Sequence, residues 1–253
     1  FIWMNTISLK NPTNFRINEH NLSNLSKDFQ KNAFVEIPNF LVKEFADKCY
    51  EFYFNEMPEN WFKIASWPNP NGESPKIQSY WEDSSVESSN SFKVFNEGRF
   101  SYHFHRTVDD HNENCPCYEC VIRKFFASYE MTSFLSELTN KEIASTSGQF
   151  TSWYKKGNFL SAHHDENNGK IGVILDFAKN WSPVFGGNLY LLEDNWFDVK
   201  KVIPPKFNNL KVFDIPEEKN GVPHFVSTVV ADDLPNRKRV AFGGWYKFCL
   251  CLG

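Results

Sequence analysis

Two histidines and one aspartate, His163, Asp165 and His224, carry the chemistry that this sequence first suggests. His163 and Asp165 are two residues apart at the end of an expected strand, so both side chains point to one face while His164 points away. His224 begins a distant apolar run that could pair nearby. Two imidazoles and one carboxylate can hold one face of Fe(II) and leave positions open for a substrate and O₂. Chance His-x-Asp pairs are common, and the alternative is two surface histidines and a loop aspartate.

The elements that would position these residues are short β-strands. From Ser147 onward, runs of β-type residues are separated by turn residues such as Gly157 and the pair Gly186-Gly187. The runs cover residues 149–154, 160–164, 171–177, 188–192, 210–213, 224–230 and 239–248. Short strands at regular spacing favour a sandwich or a jelly roll.

The first half of the chain has the periodicity of helices. Apolar residues recur at helical spacing over 42–55 and again over 121–138. Residues 33–41 are typical of a short strand that enters a turn. The Ser-, Pro-, Asn- and Glu-rich stretch 66–91 predicts a long loop.

Length and composition agree with one large domain. The chain has 253 residues, of which 41% are hydrophobic, enough for a sizeable core, and its 26 Phe and 8 Trp suit sheets packed through aromatic rings. The sequence therefore predicts an α+β fold. A helical and mixed region, residues 1–146, would pack on and partly complete a jelly-roll core, residues 147–253, as one structural domain.

Four motifs between Ser147 and Tyr246 follow one another in a familiar order. They are a Tyr-rich strand with a Gly turn and an H-x-D strand (154–165), a G-G-x-L-x-L strand (186–191), a strand similar to N-x-L-x-x-F (209–213), and a strand whose Arg lies six residues before a Trp (239–246). In these motifs the segment resembles the Fe(II)/2-oxoglutarate-dependent dioxygenases, specifically the prolyl-hydroxylase-like branch. The resemblance implies a double-stranded β-helix, with the N-terminal helices packed against it.

The resemblance also implies residue roles. His163, Asp165 and His224 would be the iron ligands. Arg239 would pair bidentately with the distal carboxylate of 2-oxoglutarate, a geometry that suits the guanidinium fork. Tyr154 is a candidate to donate a hydrogen bond to this cosubstrate or to line its pocket.

The chain departs from the family pattern near its last motif. The stretch from His224 to Arg239 is longer than usual, which leaves Arg237 as a competitor for Arg239. The interval to Trp245 favours Arg239. The strand over 171–177 is mostly apolar, so the further polar partner of 2-oxoglutarate that the family often has there cannot be assigned.

The implied activity is hydroxylation of an amino-acid-type substrate, with O₂ consumed and succinate and CO₂ released. The cofactors would be Fe(II) and 2-oxoglutarate, with ascorbate as a possible reductant. The substrate would be an amino acid within a peptide or protein, peptidyl proline first, or else a free amino acid or other small metabolite. Asp165 favours hydroxylation over halogenation, because related halogenases have a small residue in its place. A non-catalytic jelly-roll binding protein is the alternative of another class.

Charge and cysteine content bear on partners and compartment. The net charge of −4 (27 basic residues minus 31 acidic ones), without a long basic run, argues against nucleic acid, and no membrane span is expected. The six cysteines do not suggest a disulfide-stapled secreted domain, so we expect a reduced, cytoplasmic setting. Cys115, Cys117 and Cys120, which follow His111, could bind zinc or form a redox site. The alternative is reduced cysteines without a ligand at the start of a helix.

Overall fold

The computed structural model describes residues 22–68, 80–81, 85–108, 115–165, 168–215, 222–234 and 237–248. Within these ranges the helices are α1 (Leu22–Asn32), α2 (Lys43–Glu51), α3 (Ser85–Asn96), α4 (Tyr118–Phe126) and α5 (Tyr129–Thr139). The strands are β1 (Phe34–Pro38), β2 (Phe62–Trp67), β3 (Tyr80–Trp81), β4 (Tyr102–Thr107), β5 (Ile143–Tyr154), β6 (Phe159–His163), β7 (Ile171–Asp176), β8 (Leu189–Leu192), β9 (Val199–Ile203), β10 (Asn209–Asp214), β11 (His224–Val226) and β12 (Arg239–Phe248). None of the described helices is long and apolar enough to cross a membrane.

The strands form one curled antiparallel sheet in the order β1-β10-β7-β12-β5-β4-β6-β11-β8-β9, with β2 beside β4 and β3 beside β2. The sheet folds over, so that β5, β7, β10 and β12 face β6, β8 and β11 across a cavity lined from both sides. This arrangement is a double-stranded β-helix, which confirms the predicted fold class.

Alternation along β12 separates two environments, because successive side chains of a strand point to opposite faces. Arg239 and Trp245 lie on the face that lines the cavity. Phe242 and Tyr246 lie on the opposite face, against α4. The Phe242 ring is 4.8 Å from that of Phe126, and the Tyr246 hydroxyl donates to the Phe126 carbonyl at 2.6 Å. One strand thus carries both a wall of the cavity and part of the helix-packed core.

The helices cover the outer face of this half of the sheet through an aromatic core. Phe40 is 1% exposed, and its ring centroid lies 6.1, 6.3 and 5.9 Å from those of Phe125, Phe126 and Phe134. Large buried rings of this kind supply much of the apolar burial that stabilises a fold. The packing fixes β5 and β12 from behind, so the cavity on their other face has a rigid wall.

The first half of the chain also contributes strands to the sheet. β1 pairs with β10, and β4 pairs with both β5 and β6. The division expected between residues 1–146 and 147–253 falls inside β5, which begins at Ile143.

The apolar residues at helical spacing over 121–138 lie on helices, as predicted, but not on one continuous helix. The chain forms α4 and α5 instead, because Ser128 begins a second helix: its hydroxyl accepts a hydrogen bond from the Met131 backbone N–H at 3.3 Å. Most of the predicted 66–91 loop lies outside the described residues, but β3 and most of α3 fall within its bounds.

Two strand predictions also need correction. The strand predicted over 224–230 ends at Val226, and β9 was not anticipated. Four of the five β9 residues are exposed, so they lack the alternation of apolar and polar residues that predicts a half-buried strand.

Candidate active site

Strand pairing brings the two histidines together. His163 ends β6 and His224 begins β11, and the two are register partners with ring centroids 4.4 Å apart. Asp165 places Oδ1 3.5 Å from His163 Nε2 and Oδ2 3.6 Å from His224 Nε2. The three donor atoms all lie within 4.8 Å of one another. His164 lies outside this group, with its ring 5.6 Å from that of Trp196.

Backbone carbonyls orient both imidazoles. His163 Nδ1 lies 3.0 Å from the Ser161 carbonyl oxygen, and His224 Nδ1 lies 2.8 Å from that of Val222. Each Nδ1 donates its proton to one of these carbonyls, so Nε2 is the ring nitrogen that faces Asp165 and would bind a metal once it carries no proton. Metal-binding histidines are held in this way, with the second ring nitrogen fixed by a hydrogen bond. The donor set therefore fits a divalent cation.

The pKa values of these three residues also favour the binding of a divalent cation. Burial alone would raise the pKa of Asp165, but its hydrogen bond to His163 and the neighbouring His224 hold that pKa well below the ordinary value. Burial lowers the pKa of His224 to about 4, so this imidazole is neutral near pH 7. Burial also acts to lower the pKa of His163, but Asp165 outweighs it and raises that pKa. An ionised carboxylate beside a neutral imidazole is suited to binding a cation.

Trp245 also lies at this group, although the sequence indicated only its interval from Arg239. Its side chain helps to lower the pKa of Asp165, and its ring lies 5.5 Å from that of Phe150. A Cβ on Gly169 would lie 2.8 Å from the Trp245 Cβ, so this glycine allows the chain that follows Asp165 to pass close to the tryptophan. The interval from Arg239 to Trp245 marked the strand, but it gave no sign that Trp245 acts on Asp165.

The group opens into a cavity of about 590 Å³, mouth included, between the two halves of the sheet. Its wall is mainly apolar, formed by Phe104, Phe150, Leu160, Val173, Ile174, Leu189, Phe213 and Val226. Arg239 lines the same cavity from β12 and is 2% exposed. Its contacts are with neutral groups: Nε donates to the Gly187 carbonyl at 3.2 Å, and Cζ lies 4.6 Å from the centre of the Tyr154 ring. A buried guanidinium with such neighbours is suited to a carboxylate ligand.

Arg237 lies outside the cavity. It forms an isolated β-bridge with Leu234, and its Nη2 donates to the Asp232 carbonyl at 3.0 Å. Its guanidinium lies over the Phe185 ring, with Cζ 4.4 Å from the ring centre. Of the two arginines that the sequence left in competition, only Arg239 lines the cavity beside the histidines.

Tyr154 forms part of the cavity wall next to Arg239. The two residues are register partners on β5 and β12, so their side chains lie on one face. The Tyr154 ring stacks on Phe104, with centroids 5.0 Å apart and planes at 5°. Burial raises the pKa of Tyr154, which keeps its hydroxyl protonated as a hydrogen-bond donor.

A second buried cation lies behind this wall. Lys211 on β10 and Asp176 on β7 form an ion pair in which both side chains are fully buried. Burial lowers the pKa of Lys211, against the opposing effect of Asp176, and the charge of Arg239 lowers it further. Lys211 belongs to the 209–213 motif, but an apolar strand with one lysine does not reveal that residue's partner.

A double-stranded β-helix with a His–Asp–His group at a cavity defines the class of the non-haem iron oxygenases. Residues 149–247 match the 2OG-Fe(II) oxygenase superfamily. This match covers the segment that carries the four predicted motifs and supports a 2-oxoglutarate-dependent dioxygenase, for which Fe(II), 2-oxoglutarate and O₂ are the implied cofactor and cosubstrates. No curated protein sequence matches the chain.

Solved structures with the same fold include prolyl hydroxylases. A prolyl hydroxylase from Trichoplax adhaerens, in complex with a hypoxia inducible factor peptide fragment, has a TM-score of 0.59 and 19% identity and covers 90% of each chain. A Pseudomonas putida prolyl-4-hydroxylase has a TM-score of 0.52 and 14% identity, over 90% of this chain and 99% of its own. A 2OG-Fe(II) oxygenase family protein from Burkholderia pseudomallei has a TM-score of 0.55 and 15% identity, over 92% and 93%. At these identities the likeness is one of fold.

Proposed function

We propose that His163, Asp165 and His224 hold Fe(II) and that Arg239 anchors 2-oxoglutarate in an enzyme that hydroxylates an amino-acid-type substrate. The main support for this proposal is that the His–Asp–His group and the buried Arg239 guanidinium line the same cavity. When bound, the iron supplies activation of O₂, coupled to the conversion of 2-oxoglutarate to succinate and CO₂.

The residues of the chain position the reactants and exclude water. Arg239 binds the distal carboxylate of 2-oxoglutarate through charge-assisted hydrogen bonds, and the protonated Tyr154 hydroxyl donates to the same cosubstrate. The apolar wall limits water in the cavity, which strengthens these electrostatic contacts. The carbonyls of Ser161 and Val222 hold the two imidazoles, so the ligand face is formed before metal binds.

For the substrate we propose a residue within a peptide or protein, with peptidyl proline first. Support comes from the fold shared with the Trichoplax prolyl hydroxylase, which is itself in complex with a peptide. Phe100 is a second observation in favour of a peptide substrate. Its ring lies 5.8 Å from that of His163, and the residue is 40% exposed. An exposed aromatic ring beside the metal ligands is a suitable contact for a peptide that passes over the cavity.

The test is turnover with matched histidine variants. The purified chain is incubated anaerobically with Fe(II) and 2-oxoglutarate, then exposed to O₂ with a proline-containing peptide library or with free amino acids, in each case with and without ascorbate. We expect succinate formation and a peptide product heavier by one oxygen atom. His163→Ala should lose at least about 100-fold in turnover, since removing a direct ligand costs more than the 10- to 100-fold typical of outer-shell changes. His164→Ala, beside the group but outside it, should retain turnover.

The incubations with peptides and with free amino acids have distinct outcomes. An oxygenated free amino acid with no peptide product would replace the peptide substrate with a small metabolite. The catalytic assignment fails if the wild-type chain neither binds 2-oxoglutarate nor forms succinate with any of these substrates.

A further inference from the structure

Three cysteines come together at the start of α4, outside the cavity described above. The sulfur atoms of Cys115, Cys117 and Cys120 all lie within 4.8 Å of one another. All three are reduced thiols rather than disulfides, and Cys117 and Cys120 are buried. The spacing C-x-C-x-x-C explains the convergence, because Cys117 is the N-cap of α4 and Cys120 lies in its first turn. Among the described residues this is the one group of three such side chains, apart from the His–Asp–His group, whose donor atoms lie close enough together to hold a metal ion.

The ligand chemistry of this cluster differs from that of the histidine group. Three sulfur donors select soft or borderline metal ions such as Zn(II) and Cu(I), whereas imidazole and carboxylate suit Fe(II). Zn–S bonds of about 2.3 Å place tetrahedral sulfurs somewhat under 4 Å apart, so a small contraction of the cluster is sufficient. Three thiolates carry three negative charges, and a divalent ion removes more of that charge than Cu(I) does.

The surroundings of the cluster favour a bound thiolate–metal group. Burial raises the pKa of the Cys117 and Cys120 thiols, so these two sulfurs need a bound cation to lose their protons. The N-terminal end of α4 carries partial positive charge, which acts in the same sense as such a cation. Lys124 adds a full positive charge that acts on Cys115. A Zn(II) ion with three thiolates has a net charge of −1, which the helix end and Lys124 offset.

Glu119, which lies between Cys117 and Cys120 in the sequence, connects α4 to the sheet. Glu119 is 2% exposed and accepts hydrogen bonds from Tyr53 at 2.8 Å, Thr107 at 3.0 Å and Thr151 at 2.5 Å. Thr151 lies on β5, next to the cavity-lining Ser152. Fixing the first turn of α4 therefore fixes the contact of this helix with the strand that carries Tyr154.

We propose that Cys115, Cys117 and Cys120 bind one Zn(II) ion, in a structural site that holds the start of α4 against β5. The three described sulfurs occupy three corners of a tetrahedron, and a water molecule or another donor completes it. The proposal does not depend on the proposed catalytic function.

The experiment uses the full chain and two metals. Protein purified under reducing conditions without chelators is analysed for metal content, then stripped and titrated with Co(II) as a spectroscopic substitute for Zn(II). We expect one zinc per chain and a thiolate-to-cobalt charge-transfer band in the near ultraviolet, which the nitrogen and oxygen ligands of the histidine group do not give. Zn(II) should displace the band, protect the three thiols from a thiol reagent and raise the Tm.

Matched cysteine variants assign the site. Cys115→Ser, the most accessible of the three, should lose the zinc, the cobalt band and the Zn(II)-dependent rise in Tm. Cys49→Ala changes a buried cysteine outside the cluster and should keep all three, as should His163→Ala. If wild-type protein shows no cobalt band and Zn(II) leaves the thiols fully reactive, the site does not exist. Binding of Cu(I) alone would overturn the assignment to zinc, and loss of two thiols to air oxidation without any metal binding would replace it with a disulfide.

Discussion

Arg239 donates a hydrogen bond from Nε to the backbone carbonyl of Gly187, 3.2 Å away. Gly187 has φ 67°, in the left-handed region that favours glycine, and this conformation presents its carbonyl to the guanidinium. A Cβ at this position would lie 3.3 Å from Arg239 Cγ and 3.0 Å from Val229 Cγ2. The second glycine of the G-G motif therefore orients the arginine that lines the cavity.

Replacing Arg239 should weaken 2-oxoglutarate binding. Arg239→Gln removes the charge opposite the proposed carboxylate, and hydrogen bonds to charged groups contribute about 1.5–3 kcal/mol. We expect the KM for 2-oxoglutarate to rise about 10- to 100-fold, measured by succinate formation. Arg237→Gln is the matched control, because Arg237 contacts the Asp232 carbonyl and Phe185 outside the cavity. Equal effects of the two substitutions would contradict the assignment.

Gly187→Ala should act on the same arginine indirectly. The new methyl group would press on Arg239 and Val229, so we expect both a higher KM for 2-oxoglutarate and a lower Tm. Gly98→Ala separates the two effects. Gly98 has φ 72°, and a methyl group there would meet no other atom within 4 Å, so this substitution carries the backbone strain, about 1–3 kcal/mol, without the contact. It should lower the Tm and leave KM unchanged; a similar rise in KM for both variants would show that strain alone is responsible.

The sequence predicted the ligand group better than the residues that support it. His163 and Asp165 are close in the chain, and the two-residue period of a strand is enough to place them on one face. The contacts from Trp245 to Asp165 and from Gly187 to Arg239 depend on pairing between distant strands, which no local pattern reports. The three cysteines are the opposite case. They are close in the sequence, so the first turn of α4 is enough to bring their sulfur atoms together.

The buried Lys211–Asp176 pair should behave as a unit. Lys211→Met leaves an uncompensated, fully buried carboxylate at Asp176 and should lower the free energy of unfolding by about 3–5 kcal/mol in urea denaturation. The double variant Lys211→Met/Asp176→Leu removes both charges and should be clearly more stable than the single variant. A double variant that loses as much as the two single changes combined would rule out coupling between these side chains.

Asp233 should make stability depend on pH. Burial raises its pKa from 3.8 to about 6, although Trp153 Nε1 donates to it at 3.1 Å. The folded state therefore binds the proton more tightly than the unfolded state does. The resulting stabilisation is present below the unfolded-state pKa and is lost as the pH rises through about 6. Asp233→Asn mimics the protonated form, so it should raise the Tm at pH 7.5 and have little effect at pH 4.

The neighbouring Asp232 provides the control for this pH effect. Its side chain is 74% exposed and pairs with Lys156, so Asp232→Asn should change the Tm little at either pH. If Asp233→Asn shifts the Tm equally at pH 4 and pH 7.5, its effect does not come from titration of this carboxyl group.

Strand spacing predicted a sandwich or a jelly roll, and the family resemblance implied a double-stranded β-helix, but neither predicted several element boundaries. The break between α4 and α5 depends on the cap at Ser128, within a stretch whose apolar period continues across it. β9 forms on the edge of the sheet with exposed side chains, where pairing with β8 rather than burial defines the strand. In both places hydrogen bonds made by the backbone, rather than the pattern of apolar residues, decide where an element begins or ends.

The pairing of β1 with β10, which sets Phe34 opposite Phe213, has a consequence for biosynthesis. During synthesis on the ribosome, β1 emerges long before its partner strand, and His163 and Asp165 emerge before His224. Contacts between such distant segments form slowly, because a long loop must close before they contribute stability. The nascent chain therefore has no complete His–Asp–His group until β11 emerges, and β12 with Arg239 comes later still. The proposed iron site is thus completed only after every cavity-lining strand except β12 has emerged.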